Sequence, residues 1–420
     1  MSQTDKLYAV EYEAEASWAE NVSTFATYRP AILTAIDTSN LKHDAIEPER
    51  VVQQLQGGTP PILGPKSGEF TMELWATGHG SSTSGAITLD PNEVFKGFIF
   101  GNPSLAEALS APTRSAASGT TINGAGSTTT VLVTTASGTF ARGSLCRVGA
   151  GGGTADGRGN GKFYAVNNHT GTNLTLRHAT QANPANADIV YTAVNFYFNE
   201  TVANTAVKGV RFRFLSGDKQ YICRGCWPKT VELVGTDVSE RPRWRITWGV
   251  SEWDSTSSGI FPSAVATNTF NPAPVCGGAI QVQDVGVTTR NERNARGFKI
   301  TIEMGVVPLE GHGGVWPFQT YVAAVRTPSK IRASWIETAG DGHATWEAKY
   351  LAGTAQAITA SLSITNGSAL GIQMQNFKLD KRPVQISHNG INSVMLEGYA
   401  CAGTDVTTEL SQAALVVAYA

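Results

Sequence analysis

Hydrophobic and polar residues alternate in the segment GEFTMEL, residues 68–74. Phe70, Met72 and Leu74 occupy alternate positions, and Thr71 and Glu73 lie between them. A period of two residues is the pattern of a strand that buries one face. We therefore predict a strand whose apolar face packs on a core and whose polar face points away from it.

A second segment, FKITIEM at residues 298–304, repeats this alternation. FTMEL (70–74) aligns with ITIEM (300–304), and the tripeptide Gly-His-Gly follows each of them, at 78–80 and at 311–313. The shared order of features predicts an internal duplication in which these two strands are equivalent.

Each copy also carries a helical pattern after Gly-His-Gly. Residues 89–101 begin with Asp90 as N-cap and Pro91 at the first helical position, and residues 316–329 place apolar side chains at i, i+3, i+4 and i+7. We predict a short helix at both places. Hairpin-rich β sequence then follows at 207–253 and at 356–400.

Residues 112–200 fit neither copy. They open with a Ser/Thr/Gly-rich stretch and continue as short alternating segments, which predicts a small β domain inserted at a surface loop. The predicted organisation is a first domain of residues 1–111 and 201–255, an insert of residues 112–200, and a second domain of residues 256–420. The predicted fold class is mainly β, with two tandem β-sandwich or half-barrel domains, each flanked by a short α-helix, plus the inserted β domain.

Composition narrows the classes of function. The chain has 420 residues, 44 glycines, only 16% charged residues and a net charge of −2, so nothing indicates tight binding to nucleic acid or to an anionic membrane. The N-terminal segment lacks a basic start followed by an apolar core, and no apolar run is long enough to cross a bilayer, so we expect neither a secretion signal nor a membrane span. Five scattered cysteines are typical of a chain that folds in a reducing cytoplasm.

No catalytic or metal-binding pattern stands out. The Gly-rich loop at 149–163 has Asp156 and Phe163 where a phosphate-binding loop needs glycine and a hydroxyl residue. Cys223 and Cys226 have redox spacing, but they lie in alternating β sequence and have no second pair to complete a metal site. His79 and His312 recur in equivalent places, which favours a turn role over a shared ligand site. We therefore expect no enzyme activity, no cofactor and no metal.

The combination of features resembles a known family. An acidic, aromatic segment at 11–40, a turn-rich loop at 48–68, the strand GEFTMELWATG, the helix PNEVFKGFIFG and the strands from 211 to 234 are similar to the major tail tube proteins of long-tailed bacteriophages. The two copies make the chain similar to the subset in which three chains form a ring of six related domains.

The resemblance implies a structural virion protein, made in the host bacterial cytoplasm, whose trimeric pseudo-hexameric or hexameric rings stack into the tube that delivers DNA. It implies contacts with other tail proteins (tape measure, terminator and baseplate), passage of genomic DNA without sequence-specific binding, and no membrane partner. Thr71, Glu73, Thr301 and Glu303 are then expected to line the lumen, the two glutamates as an acidic girdle. Loops 47–67 and 285–297 are the candidates for contacts between rings.

Other interpretations stay open at this point. The polar strand faces are also compatible with an ordinary solvated surface. A carbohydrate-binding or adhesive β protein would use exposed tryptophans, and the candidates are Trp75, Trp227, Trp244, Trp248 and Trp253. A baseplate or terminator ring, or a β-rich hydrolase, are the remaining alternatives.

Overall fold

The computed structural model of the protein is mainly β. It describes residues 8–15, 17–19, 29–46, 62–76, 113–114, 116, 119–135, 140–150, 161–198, 209–216, 219–237, 240–256, 279–285, 291–293, 295–311, 319–338, 342–363, 369–388, 390–403 and 413–420. The predicted helix at 89–101, the tripeptide at 78–80 and His312 lie outside this set.

Four groups of strands follow one another along the described chain. The first part of the chain forms β1 (Tyr8–Ala14), β2 (Arg29–Leu33), β3 (Ala35–Asp37), β4 (Leu41–Ile46) and β5 (Ile62–Trp75). The next group is β6 (Thr113–Arg114), β7 (Thr120–Asn123), β8 (Val131–Thr134), β9 (Leu145–Gly149), β10 (Phe163–Thr170), β11 (Asn173–Leu176), β12 (Ile189–Tyr191) and β13 (Val194–Phe198). The third group is β14 (Val210–Ser216), β15 (Lys219–Val234), β16 (Arg243–Val250) and β17 (Glu252–Thr256).

The described residues of the remaining chain contain eleven further strands and the helix α1 (Gly342–Ala352). The strands are β18 (Ala279–Asp284), β19 (Asn291–Arg293), β20 (Ala295–Glu303), β21 (Val306–Glu310), β22 (Tyr321–Arg326), β23 (Lys330–Thr338), β24 (Gln356–Ser363), β25 (Leu370–Leu379), β26 (Val384–His388), β27 (Ile391–Cys401) and β28 (Leu415–Tyr419).

The strand pairings of the first and third groups recur in the last group. The β1–β2 pair corresponds to β18–β19, β1–β14 to β18–β24, and β14–β15 to β24–β25. In the same way, β3–β5 corresponds to β20–β23, and β5–β16 to β23–β27. Finally, β15–β16 corresponds to β26–β27, and β15–β17 to β25–β27. Two antiparallel repeats with the same topology therefore make up the body of the protein, and we call them the first and second repeat.

This topology corrects the strand alignment made from sequence. FTMEL lies in β5, whose counterpart is β23, and ITIEM lies in β20, whose counterpart is the short strand β3. Both segments are strands, as predicted, but they hold neighbouring places in their repeats. Alternation alone records that one strand face is buried, whereas the position in a sheet depends on long-range pairing.

The predicted helix at 316–329 is wrong. Residues 321–326 are strand β22, which pairs with β21 to form a two-stranded hairpin. The helix of the second repeat is α1, which occupies the interval between β23 and β24. The prediction of a loop at 285–297 is also partly wrong, because residues 291–293 belong to β19 and residues 295–297 belong to β20.

The β21–β22 hairpin has a counterpart in the first repeat. There, β4 pairs with the first half of β5, and this hairpin joins β3 to the second half of β5. In the second repeat, β21 and β22 stand between β20 and β23 in the same way. Each repeat therefore carries one hairpin arm at the same point of its topology.

One sheet runs through both repeats. Antiparallel pairing continues in the order β3, β5, β16, β15, β20, β23, β27 and β26, and the β15–β20 pair joins the first repeat to the second. Phe70, Trp248, Ile302 and Trp335 all point to the buried side of this sheet and belong to one hydrophobic core. Each such side chain contributes roughly 1.5–3 kcal/mol when fully buried.

Residues Thr120–Tyr191 contain a separate closed barrel of six strands, β10-β11-β8-β7-β12-β9, with its own hydrophobic core. The flanking strands β6 and β13 pair with each other, and β13 also pairs with β28 of the main sheet. A small apolar cluster that includes Phe163, Ala165, Val416 and Ala418 joins the barrel to the second repeat.

Candidate functional site: the polar face of the continuous sheet

The side of the continuous sheet opposite the core carries polar and charged residues, and we call it the polar face. Across the strands, its residues form transverse rows in which each member lies directly opposite the next. The first row is Glu73, Arg245, Glu232, Thr301, Arg332 and Tyr399. The adjacent row is Asp37, Thr71, Thr247, Thr230, Glu303 and Lys330.

The four residues singled out from the sequence therefore share one face and two adjacent rows. Glu73 and Thr301 belong to the first row, and Thr71 and Glu303 belong to the second. Strand alternation placed them on the polar side of their strands, but it could not show that both strands belong to one sheet.

Glu73 is only 9% exposed and is bound by two arginines. Arg243 Nη1 donates to its Oε2 at 2.9 Å, and Arg245 Nε donates to its Oε1 at 2.7 Å. An acidic girdle at this position is therefore not supported, because the carboxylate charge is offset by two guanidinium groups. Glu303 is exposed, and Lys330 lies directly opposite it.

Ion pairs continue along the polar face. Lys299 Nζ lies 3.7 Å from Glu232 Oε1, and Arg332 Nη1 lies 3.5 Å from Glu397 Oε1. Opposite charges on directly paired strands stabilise an antiparallel sheet by a few tenths of a kcal/mol, up to about 1 kcal/mol per pair. The polar face is a surface of paired charges and hydroxyls rather than a surface of one sign.

The two ends of the continuous sheet are formed by β3 and β26. Among the described strands, β26 pairs only with β27 in this sheet, and β3 pairs only with β5. The β26 end also exposes apolar side chains: Val384 is 54% exposed, and Met395, directly opposite it, is 40% exposed. Exposed edge strands with apolar side chains pair readily with other chains.

The hairpin arm of the second repeat exposes a further apolar surface. Val307 on β21 lies directly opposite Val325 on β22, and both are exposed together with Leu309. In the first repeat, the described part of the predicted loop 47–67 is the strand segment that pairs with β4. The second arm, formed by β21 and β22, is its topological counterpart, whereas the contact loop expected from the sequence is at 285–297.

The tryptophans expected for sugar stacking do not form an exposed set. Trp227, Trp244 and Trp248 are buried in the core, and Trp244 Nε1 donates to the Tyr419 hydroxyl at 2.7 Å. Trp75 and Trp253 are half-buried. Arg243 and Arg245 point to the opposite side of the strand from Trp244, so the alternation that suggested an aromatic surface is the alternation of a core strand.

Cys223 and Cys226 are also buried. Burial raises the pKa of the Cys226 thiol well above its ordinary value, with further contributions from the neighbouring Cys223 and from Glu15 and Glu252. A thiol of this kind is protonated at neutral pH and is a poor nucleophile. Within the described residues, no group of three or more His, Cys, Asp or Glu side chains is arranged to hold a metal ion.

Comparison with known proteins adds no identification. No protein-family model matches the chain, and no curated protein is significantly similar to it. The one helix in the described part of the chain is too short and too polar for a transmembrane helix.

Proposed function

We propose that this protein is a ring-forming structural subunit of a bacteriophage tail tube, in which three chains form a pseudo-hexameric ring. The observation that carries the proposal is the β15–β20 junction, where Val231 lies opposite Ile302 and the first repeat pairs edge to edge with the second. A repeat of this kind has two complementary edges.

The free edges correspond to the joined ones. β26 holds the place in the second repeat that the last part of β15 holds in the first, and β3 holds the place that β20 holds in the second. Applying the same junction between chains would pair β26 of one copy with β3 of the next. Such a contact joins two different edges, one from each chain. It gives a closed ring when the rotation from one repeat to the next is a whole-number fraction of a full turn.

In this proposal the polar face lines the lumen, with Thr71, Glu73, Thr301 and Glu303 on it. Paired charges would present DNA with few uncompensated cations, so that little counterion release accompanies contact with the phosphates. Genomic DNA would pass without sequence-specific binding. The rings would stack through the hairpin arms and meet the tape measure, terminator and baseplate proteins at the ends of the tail.

Disulfide crosslinking between the proposed edges tests the contact. With Cys276 and Cys401 replaced by serine, Asp37→Cys is combined in turn with Val384→Cys, Ile386→Cys and His388→Cys, which scans the register of an antiparallel pair. Since bridged Cα atoms lie about 4.4–6.8 Å apart, one register should give covalent trimers on a non-reducing gel. The single-cysteine variants are the controls.

Negative-stain microscopy of the unmodified chain completes the test. Hollow rings or tubes with threefold character, together with reducible trimers, are the expected result. A dispersed monomer would overturn the ring proposal, whereas rings without crosslinking in any register would show that other strands form the contact.

A further inference from the structure

A cleft of about 340 Å³ lies where the barrel meets the second repeat. Its walls come from β10, β11 and adjoining residues on the barrel side, and from β18, β24, β25 and adjoining residues on the other side. Volumes of roughly 300–1,000 Å³ are typical of small-molecule sites. The polar face lies elsewhere, so the cleft has no role in the ring proposal.

The lining is rich in groups that both donate and accept hydrogen bonds. It includes the amides of Asn167, Gln283, Gln373 and Gln375 and the hydroxyls of Thr175 and Thr359. Several of these side chains are held in place: Arg177 Nη1 donates to Gln375 Oε1 at 2.8 Å, and Gln283 Nε2 donates to the Arg177 carbonyl at 3.1 Å. The bonds cross between the barrel and the second repeat and fix the walls relative to each other.

Gln373 also lines the cleft. Its side chain is 2% exposed, and its Oε1 accepts no hydrogen bond within the described residues. A buried acceptor left unsatisfied costs about 1–3 kcal/mol, so a ligand hydroxyl that donates to this oxygen would recover that free energy.

The lining of the cleft presents one charge of each sign. Arg177 and Asp284 both line it, and Lys349, which is not part of the lining, forms an ion pair with Asp284. The Asp284 carboxylate accepts hydrogen bonds from Lys349 and from Gln356 Nε2, which hold it on the wall. An anion would meet Asp284, and a cation would meet Arg177.

We propose that this cleft binds one neutral sugar unit, as a free monosaccharide or as the end of a glycan. Each sugar hydroxyl both donates and accepts, which matches a wall of amides and threonines, and the volume is at the small end of the range for ligand sites. The barrel would then contribute one wall of a binding site that neither it nor the second repeat forms alone.

Saturation-transfer NMR and calorimetry on the full chain test the site, with glucose, galactose, rhamnose and N-acetylglucosamine as neutral probes and sialic acid and inorganic phosphate as anionic ones. The test variant is Gln373→Leu, which keeps the side-chain size and removes the acceptor. The matched control is Gln281→Leu, since Gln281 is equally buried on β18, also has unsatisfied amide atoms and does not line the cleft. Thr359→Val is a second cleft variant should Gln373→Leu fail to fold.

We expect at least one neutral sugar to bind the unmodified chain, tenfold weaker binding by the cleft variant, and unchanged binding by Gln281→Leu. No binding of any neutral probe, binding of the anions alone, or equal binding by the unmodified chain and the cleft variant would overturn the proposal. None of these results depends on whether the chain forms rings.

Discussion

Glu232 of the first repeat lies directly opposite Thr301 of the second. The two residues are on adjacent strands of one sheet although they are far apart in the sequence, and they mark the line along which the repeats join. Lys299, two positions before Thr301 on β20, forms an ion pair with Glu232 across the same line. The junction is therefore held on its polar side by charge and on its other side by buried Val231, Leu233, Ile300 and Ile302.

Ile302→Ala should weaken the junction more than any change on its polar side. Ile302 is fully buried opposite Val231, so truncation leaves a cavity and costs about 2–5 kcal/mol of the free energy of unfolding. Urea denaturation followed by tryptophan fluorescence measures it. Glu303→Ala, at the exposed next position, is the control and should change stability by less than about 0.5 kcal/mol. Equal effects of the two would contradict the assigned faces.

Charge reversal should have different effects at Glu73 and Glu303. Glu73→Lys would place a third cation against Arg243 and Arg245 in a mostly buried position, at a cost of about 3 kcal/mol. Glu303→Lys is exposed and should leave the fold intact. Thermal denaturation of the two single variants measures the difference, and a stable Glu73→Lys protein would show that these ion pairs do not matter.

Met395→Lys should weaken self-association without weakening the fold. Met395 is exposed beside the β26 edge. A lysine there would lose its hydration when a second chain pairs with β26, and this desolvation would weaken association. We expect at least a tenfold increase in the dissociation constant, or about 1.4 kcal/mol. Sedimentation velocity over a concentration series provides the measurement. Leu351→Lys, on an exposed position of α1, is the matched control and should associate normally.

Acid should weaken the attachment of α1. Hydrogen bonds from Lys349 and then from Gln356 lower the pKa of Asp284 below its ordinary value of 3.8. Because the pKa of Asp284 is lower in the folded state than in the unfolded state, the ionised carboxylate stabilises the native state at pH values above the unfolded pKa. This stabilisation is lost as the pH falls through the folded pKa. The effect is small because the Asp284 carboxylate is partly exposed.

The unmodified chain and Asp284→Asn are therefore compared by urea denaturation at about pH 6 and about pH 3. The difference in stability between them should shrink at the lower pH. A difference that stays constant would mean that the carboxylate charge contributes nothing to the contact with Lys349.

Gly371→Ala should loosen the barrel from the second repeat. A Cβ at residue 371 would meet the ring of Phe163 at less than ordinary contact distance, so one of the two elements has to shift. Overpacking of this kind costs about 1–3 kcal/mol. Limited proteolysis and thermal denaturation should show easier release of the barrel. Gly342→Ala, where the added Cβ comes no closer than 3.7 Å to its neighbours, serves as the comparison.

The amino-acid pattern revealed the local structure of individual strands better than their partners. The alternation in FTMEL and ITIEM located strand segments of β5 and β20 and identified their buried faces. It did not reveal that β5 corresponds to β23, because two strands with one buried face look alike until their hydrogen-bonded neighbours are known. Seven matching strand pairings establish the correspondence, and pairings such as β1–β14 and β5–β16 join residues distant in sequence.

The helix of the second repeat was missed although its sequence carries a signal. GHATWEAKYLA is rich in helix-forming residues, and Gly353 follows it with φ of 62°, the left-handed conformation that often ends a helix. The pattern at 316–329 was misleading because apolar residues with helical spacing also occur in YVAAVR. There, pairing with β21 places Val325 opposite Val307 and determines a strand.

The polar face could be located from sequence, but its charge balance could not. Glu73 lies far from Arg243 and Arg245 in the chain, and only the β5–β16 register brings it beside them. The cleft between the barrel and the second repeat was equally hidden, because its two walls come from segments that alternation treats separately.

A covalent junction between the repeats changes how assembly responds to protein concentration. In a ring of three such chains, every second repeat-to-repeat contact is already formed when the chain folds, and only the remaining contacts require molecules to meet. Ring formation would then depend on a lower power of the subunit concentration than the assembly of six separate repeats, so closed rings would persist on dilution that would disperse six unlinked subunits.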